Sequence, residues 1–113
     1  MIATDDIGEL AAKLMQEQWA GVRIVELEGP RRTSPDDIAA AFAQVLGRPV
    51  RAQAVPRETW EALFVGQGMK YPMPRIQMLD GFNQGWIDFE GHREAIVKGK
   101  TQLVDVIRKL VAR

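Results

Sequence analysis

The run Ser34-Pro35-Asp36-Asp37 constrains this chain more than any other feature. A serine hydroxyl accepts a hydrogen bond from the free N–H groups of a first helical turn, and a proline fits the first helical position. Two carboxylates then sit well at the positive end of the helix dipole. The spacing predicts a helix with Ile38, Ala41, Phe42, Val45 and Leu46 on one face, stopped by Gly47 ahead of Pro49. Before it, Val22-Arg23-Ile24-Val25-Glu26-Leu27 is rich in β-branched residues and nearly continuous in apolar character, as a buried parallel strand is, and Gly29-Pro30 closes it. After it, Val50, Ala52 and Ala54 alternate with Arg51 and Gln53, the pattern of a half-buried strand ended by Pro56. Strand, helix and strand make a βαβ unit with a right-handed crossover. The expected fold class is therefore α/β: a small βαβ unit with two short parallel strands and about five helices.

The other helices follow from apolar periodicity. Thr4 or Asp5 is placed to cap a helix bearing Ile7, Leu10, Ala11 and Leu14. Residues 58–65 put Trp60, Leu63 and Phe64 on one face and end at Gly66-Gln67-Gly68. Pro74 is placed to open a helix through Ile76, Leu79, Phe82 or Asn83, and Trp86, although Gly81 and Gly85 weaken it. Residues 88–99 read as irregular connection. Thr101 then caps a last helix carrying Leu103, Val104, Ile107, Leu110 and Val111.

A chain of 113 residues fits one domain spanning residues 1–113. Fifteen basic residues offset fifteen acidic ones, so no net field gathers nucleic acid or an anionic membrane, and no run reaches membrane-spanning length. The absence of cysteine removes thiolate nucleophiles and sulfur-rich metal sites and fits a cytoplasmic setting. The acidic start, Thr4-Asp5-Asp6, has the wrong charge for a signal or transit peptide.

Few residues offer chemistry. A dinucleotide fingerprint would need Gly66-Gln67-Gly68 to follow a strand and a third glycine at position 71, which is Tyr71; a helix terminus accounts for the pair. His92, the sole histidine, has Asp88 and Glu90 nearby but no recognised ligand spacing, so neither a metal ligand nor a catalytic residue is assigned. Arg31 and Arg32 ahead of Thr33 and Ser34 offer an anion a helix N-terminus, against which Asp36 and Asp37 already hold the favourable end of the dipole. The densest constellation is aromatic and thioether: Trp60, Phe64, Met69, Tyr71, Met73, Met78, Phe82, Trp86 and Phe89. Such side chains make adaptable walls for an apolar ligand, with Asn83 or Gln84 to orient a polar group. They equally suit a core between two helices. The candidate ligand-binding set is Trp60, Phe64, Met69, Met78, Phe82, Asn83 and Trp86.

Taken together, Thr4-Asp5-Asp6-Ile7-Gly8, Val25-Glu26-Leu27-Glu28-Gly29-Pro30-Arg31, Ser34-Pro35-Asp36-Asp37-Ile38-Ala39-Ala40-Ala41-Phe42, Gly47-Arg48-Pro49-Val50, Val55-Pro56-Arg57 with Trp60, and Asp80-Gly81-Phe82-Asn83-Gln84-Gly85-Trp86-Ile87 resemble the C-terminal part of NmrA-like proteins. These belong to the atypical short-chain dehydrogenase/reductase superfamily. The resemblance covers almost the whole chain. It implies that Val22–Leu27 is a late strand of a parent sheet and that the aromatic and methionine segment covers a substrate pocket. In that family the NAD(P) loop lies in an N-terminal Rossmann half, and its cofactor-binding residues have no counterpart here, so no cofactor is assigned. Three roles stay open. The first is a non-catalytic module for a small apolar molecule. The second is the substrate-recognition piece of an NAD(P)-dependent oxidoreductase whose Rossmann part lies on another segment or chain. The third is a protein-interaction or regulatory module. A piece that normally packs on a larger partner leaves apolar surface bare, which implies a homo-oligomer or a Rossmann-bearing partner.

Overall fold

The computed structural model describes residues 1–113: α1 (Thr4–Leu14), β1 (Leu27–Glu28), α2 (Pro35–Leu46), α3 (Trp60–Gly66), α4 (Met73–Gln84), β2 (Val97–Lys98) and α5 (Leu103–Val111). Five helices and one two-stranded parallel sheet thus make a small α/β protein. No helix is long and apolar enough to cross a membrane. The residues gather into two compact units, 1–52 with 91–113 and 53–90.

In the first unit, α2 forms where its boundary residues require. The Ser34 hydroxyl accepts the Asp37 N–H at 3.2 Å, and the Asp37 carboxylate accepts the Ser34 N–H at 2.8 Å, a reciprocal capping box. Gly47 ends the helix at φ 64°, a left-handed conformation that costs a residue with a Cβ. α5 packs against α2, burying Ile107 to 2% exposure, and Ala39 of α2 is also buried.

The sheet is not the one the alternation predicts. Leu27 pairs in parallel with Val97, and Glu28 with Lys98. The Val97 N–H to Glu26 and Gly99 N–H to Glu28 bonds, at 2.9 and 2.7 Å, extend the ladder. The second strand therefore comes from the stretch expected to be irregular. Residues 51–56 form no strand and are exposed. A strand needs a neighbour to satisfy its backbone, and β1 and β2 pair with each other, which leaves 51–56 without a ladder partner. Of the first expected strand, residues 22–27, only Leu27 lies in the sheet, which runs on to Glu28, and Val22 and Ile24 are 92% and 82% exposed.

Two buried carboxylates fasten this unit. Asp6 accepts the N–H groups of Lys100 and Thr101, each at 2.9 Å, and the Thr101 hydroxyl at 2.7 Å. These bonds, led by the Thr101 N–H, hold its pKa below the ordinary aspartate value. Glu28 is paired with Lys98 and, at 3.1 Å, with Arg32; the Lys98 hydrogen bond chiefly lowers its pKa. Two of the expected caps form differently. Thr101 gives its hydroxyl to Asp6, so α5 opens at Gln102 without a side-chain cap. Thr4 lies inside α1, whose N-cap is Ala3, with Asp5 and Asp6 in the first turn.

In the second unit, α3 ends in the Gly66-Gln67-Gly68 turn, which therefore follows a helix. α4 starts at Met73, with Pro74 in its first turn, and stops at Gly85, one residue short of Trp86. Ile76, 2% exposed, and Phe64 form the unit's buried apolar centre. Arg57 forks onto Asp80 through its Nε at 2.8 Å and an Nη at 2.5 Å. That fork lowers the Asp80 pKa and raises that of Arg57.

Candidate functional site

The periodicity of α4 sets the aromatic and thioether constellation. Ile76 and Asp80, four residues apart, lie on the face turned into the second unit, one buried and the other held by Arg57. Met78 and Phe82, also four apart, fall about 200° and about 240° round from Ile76 on the helical wheel and lie on the exposed face. Their exposures are 45% and 58%. Trp86 follows the Gly85 stop and is 63% exposed. Its position is nevertheless defined: the indole N–H donates to Gln84 Oε1 at 3.3 Å, and the Ile87 N–H reaches the Gly81 carbonyl at 3.1 Å. Gly81 lets this turn close, because a Cβ there would stand 2.5 Å from Ile87 Cδ1 and 2.9 Å from Trp86 Cη2. Asn83 is exposed on the same last turn.

The remaining members of the set are placed differently. Phe64 is buried, with the Arg75 guanidinium 4.8 Å from its ring centre, so it belongs to the core. Trp60 is half-buried; its indole N–H donates to the Val55 carbonyl at 2.9 Å and its ring lies 5.7 Å from the Arg57 guanidinium. Met69 is half-buried at the turn after α3, its N–H on the Phe64 carbonyl. The structure thus separates a core residue, two half-buried residues and an exposed group of Met78, Phe82, Asn83 and Trp86.

Two cavities, of about 400 and 240 Å³, lie in the first unit, and none of these seven residues lines either one. The larger opens between α2 and α5 beside residues 1–3, and Arg31, Thr33 and Gln44 are among its polar walls. Its sequence trace is faint: Asp37, Ala40, Ala41 and Gln44 follow helical spacing, but two alanines on a stripe read as packing rather than as a recess.

Comparison with protein-family models, with curated proteins and with solved structures finds no match to this chain.

The charged candidates resolve into structure. Arg31 donates to Asp37 at 2.9 Å and Arg32 to Glu28, while Asp37 holds both the backbone N–H and the hydroxyl of Ser34. The Ser34 N–H bond chiefly lowers the Asp37 pKa. An anion at the head of α2 would meet a carboxylate already seated there, so the arginines do not make an anion site at that terminus. His92 precedes a single 3₁₀ turn, Arg93–Ala95, and its carbonyl accepts the Ala95 N–H. No group of three His, Asp or Glu side chains is placed to hold a metal ion.

Proposed function

We propose that this chain is a binding module of the NmrA-like substrate-side kind, which presents Met78, Phe82 and Trp86 to a small, mostly apolar molecule and takes no catalytic part by itself. One observation supports the reading above the others. The outer face of α4, where a surface helix ordinarily carries polar side chains, holds an exposed methionine and phenylalanine, and an exposed tryptophan follows the stop at Gly85. The helix beneath them is fixed by the Arg57–Asp80 fork and by the close approach at Gly81. A rigid base under flexible thioether and flat aromatic side chains suits ligands of varied shape, and Asn83 adds one amide to orient a polar group.

The test is tryptophan emission during titration with apolar ketones, quinones and aryl alcohols, in a Trp19→Phe background that leaves only Trp60 and Trp86. A saturable change that Phe82→Ala weakens supports the reading. Emission unchanged across the panel sinks it.

A second reading has its own support. Val22 and Ile24 stand almost fully exposed beside β1, as the flank of a strand taken from a larger sheet would. In this reading the chain recognises substrate for an NAD(P)-dependent oxidoreductase completed by a Rossmann-bearing chain, and alone it associates with itself through that flank. Light scattering at high concentration should then give a mass above the monomer, reduced to the monomer by Val22→Asp with Ile24→Asp. A monomeric mass throughout counts against it.

A further inference from the structure

The apolar stripe on α4 ends in a charge that nothing in the chain balances. Counted from Ile76 on the helical wheel, Met78 falls at about 200°, Phe82 at about 240° and Arg75 at about 260°. Arg75 therefore continues the methionine and phenylalanine stripe toward the start of the helix, three residues from one and seven from the other. Its side chain is exposed, and no carboxylate lies within ion-pair distance of it. The first turn of α4 has no acidic residue, and Asp80, the one carboxylate on the helix, is taken by the fork of Arg57.

Arg75 is nevertheless anchored. Its guanidinium stands 4.8 Å from the ring centre of Phe64, a buried residue of α3. An arginine resting on an aromatic ring keeps the N–H groups in its own plane free, and it loses less freedom on pairing than one loose in solvent. The same unit shows what such an arginine does when a carboxylate is within reach. Arg57 lies 5.7 Å from the Trp60 ring and binds both oxygens of Asp80. Arg75 has the ring without the carboxylate, at one end of an exposed apolar stripe. Charge complementarity therefore calls for an anion whose body is apolar. Seven residues at about 1.5 Å each place Arg75 and Phe82 about 10 Å apart along the axis, which sets the length of a molecule that spans the stripe.

We propose that the apolar molecule bound on the outer face of α4 is an organic acid of medium chain length. Its carboxylate pairs with the planar fork of Arg75, and its body lies along Met78 to Phe82. This inference rests on the binding role proposed above for that face and names the head group the face selects.

The experiment follows the Met78 methyl resonance of the full chain during titration with octanoate and, separately, with octanamide, which has the same chain and a neutral head. Both should shift Met78 along a saturable curve, with octanoate about three- to tenfold tighter, as expected for one forked ion pair at an exposed site. Arg75→Gln should lower the affinity for octanoate to that for octanamide and leave octanamide binding unchanged, which shows the stripe intact. Arg75→Lys keeps the charge without the fork and should retain part of the preference. Equal affinities for the two compounds in the unaltered chain, or a preference that survives Arg75→Gln, would overturn the inference while the α4 binding role stands. No saturable Met78 shift with either compound would sink both.

Discussion

Replacing Ile107 by alanine tests the packing that holds the first unit together. Ile107, on the helix that packs against α2, is 2% exposed, and Ala39 and Ile96 are the other buried apolar side chains of the unit. The change removes three carbons, and at about 0.8 kcal/mol for each buried methylene this costs about 2.4 kcal/mol. Incomplete collapse adds about 24 cal/mol per Å³ of residual space, so a remnant of about 40 Å³ contributes about 1 kcal/mol more. The expected loss is then about 3 kcal/mol, a large share of the roughly 5–15 kcal/mol that holds a small domain folded. Urea unfolding followed by far-ultraviolet circular dichroism should show a lower midpoint at unchanged slope, since a packing loss leaves the surface exposed on unfolding almost the same. Leu110→Ala, on the same helix but 52% exposed, should cost less than about 1 kcal/mol. Equal costs at the two positions, or a loss under about 1 kcal/mol at Ile107, would refute the placement of α5 on α2.

Three further outcomes follow from the same geometry. Ser34→Ala removes the hydroxyl half of the α2 capping box and should cost about 1 kcal/mol in urea unfolding. Gly81→Ala gains about 1 kcal/mol of helix propensity but forces a Cβ against Ile87 and Trp86; with overpacking costing about 1–3 kcal/mol, a net loss of about 1 kcal/mol and an altered Trp86 emission are expected. The lowered pKa values of Asp6, Glu28, Asp37 and Asp80 set the pH response. Their stabilisation is complete above the unfolded-state values of about 3.9 for Asp and 4.3 for Glu and is lost as pH falls through the lower folded values. Melting temperatures should therefore hold level above about pH 5 and fall steeply below about pH 4, with Asp6→Asn already destabilised at neutral pH and less sensitive to acid.

Local chemistry explains which parts of the fold were legible in the sequence. Ser34, Pro35 and Gly47 act on their own neighbours, so α2 could be placed to the residue, and the apolar stripes of α1, α3, α4 and α5 likewise announced helices. Strand pairing is not local. Val50, Ala52 and Ala54 alternate as well as many strands do, yet the strand that pairs with β1 is Val97–Lys98, whose neighbours include Gly99 and the polar run at 92–94 and show no alternation. The cap at Thr101 failed for a related reason, since Asp6 draws Thr101 across more than ninety residues of chain, whereas α1 begins one residue earlier than Thr4 capping requires, with Ala3 as its N-cap. In the candidate site, the sequence grouped aromatic and methionine residues without saying which way each faces. The four-residue spacing of Ile76 and Asp80 against that of Met78 and Phe82 held that information once one face was known to be buried.

The most direct measurement of the proposed binding role uses NMR of labelled methionine methyl groups during titration with apolar ketones, quinones and aryl alcohols. Met78 lies on the outer face of α4, whereas Met15, 85% exposed at the end of α1, is an equally accessible thioether outside the proposed site. Binding at the outer face of α4 predicts a saturable shift of the Met78 methyl, lost in Phe82→Ala, while Met15 stays still. Parallel, non-saturating drifts of Met78 and Met15, or no shift of Met78, would contradict it.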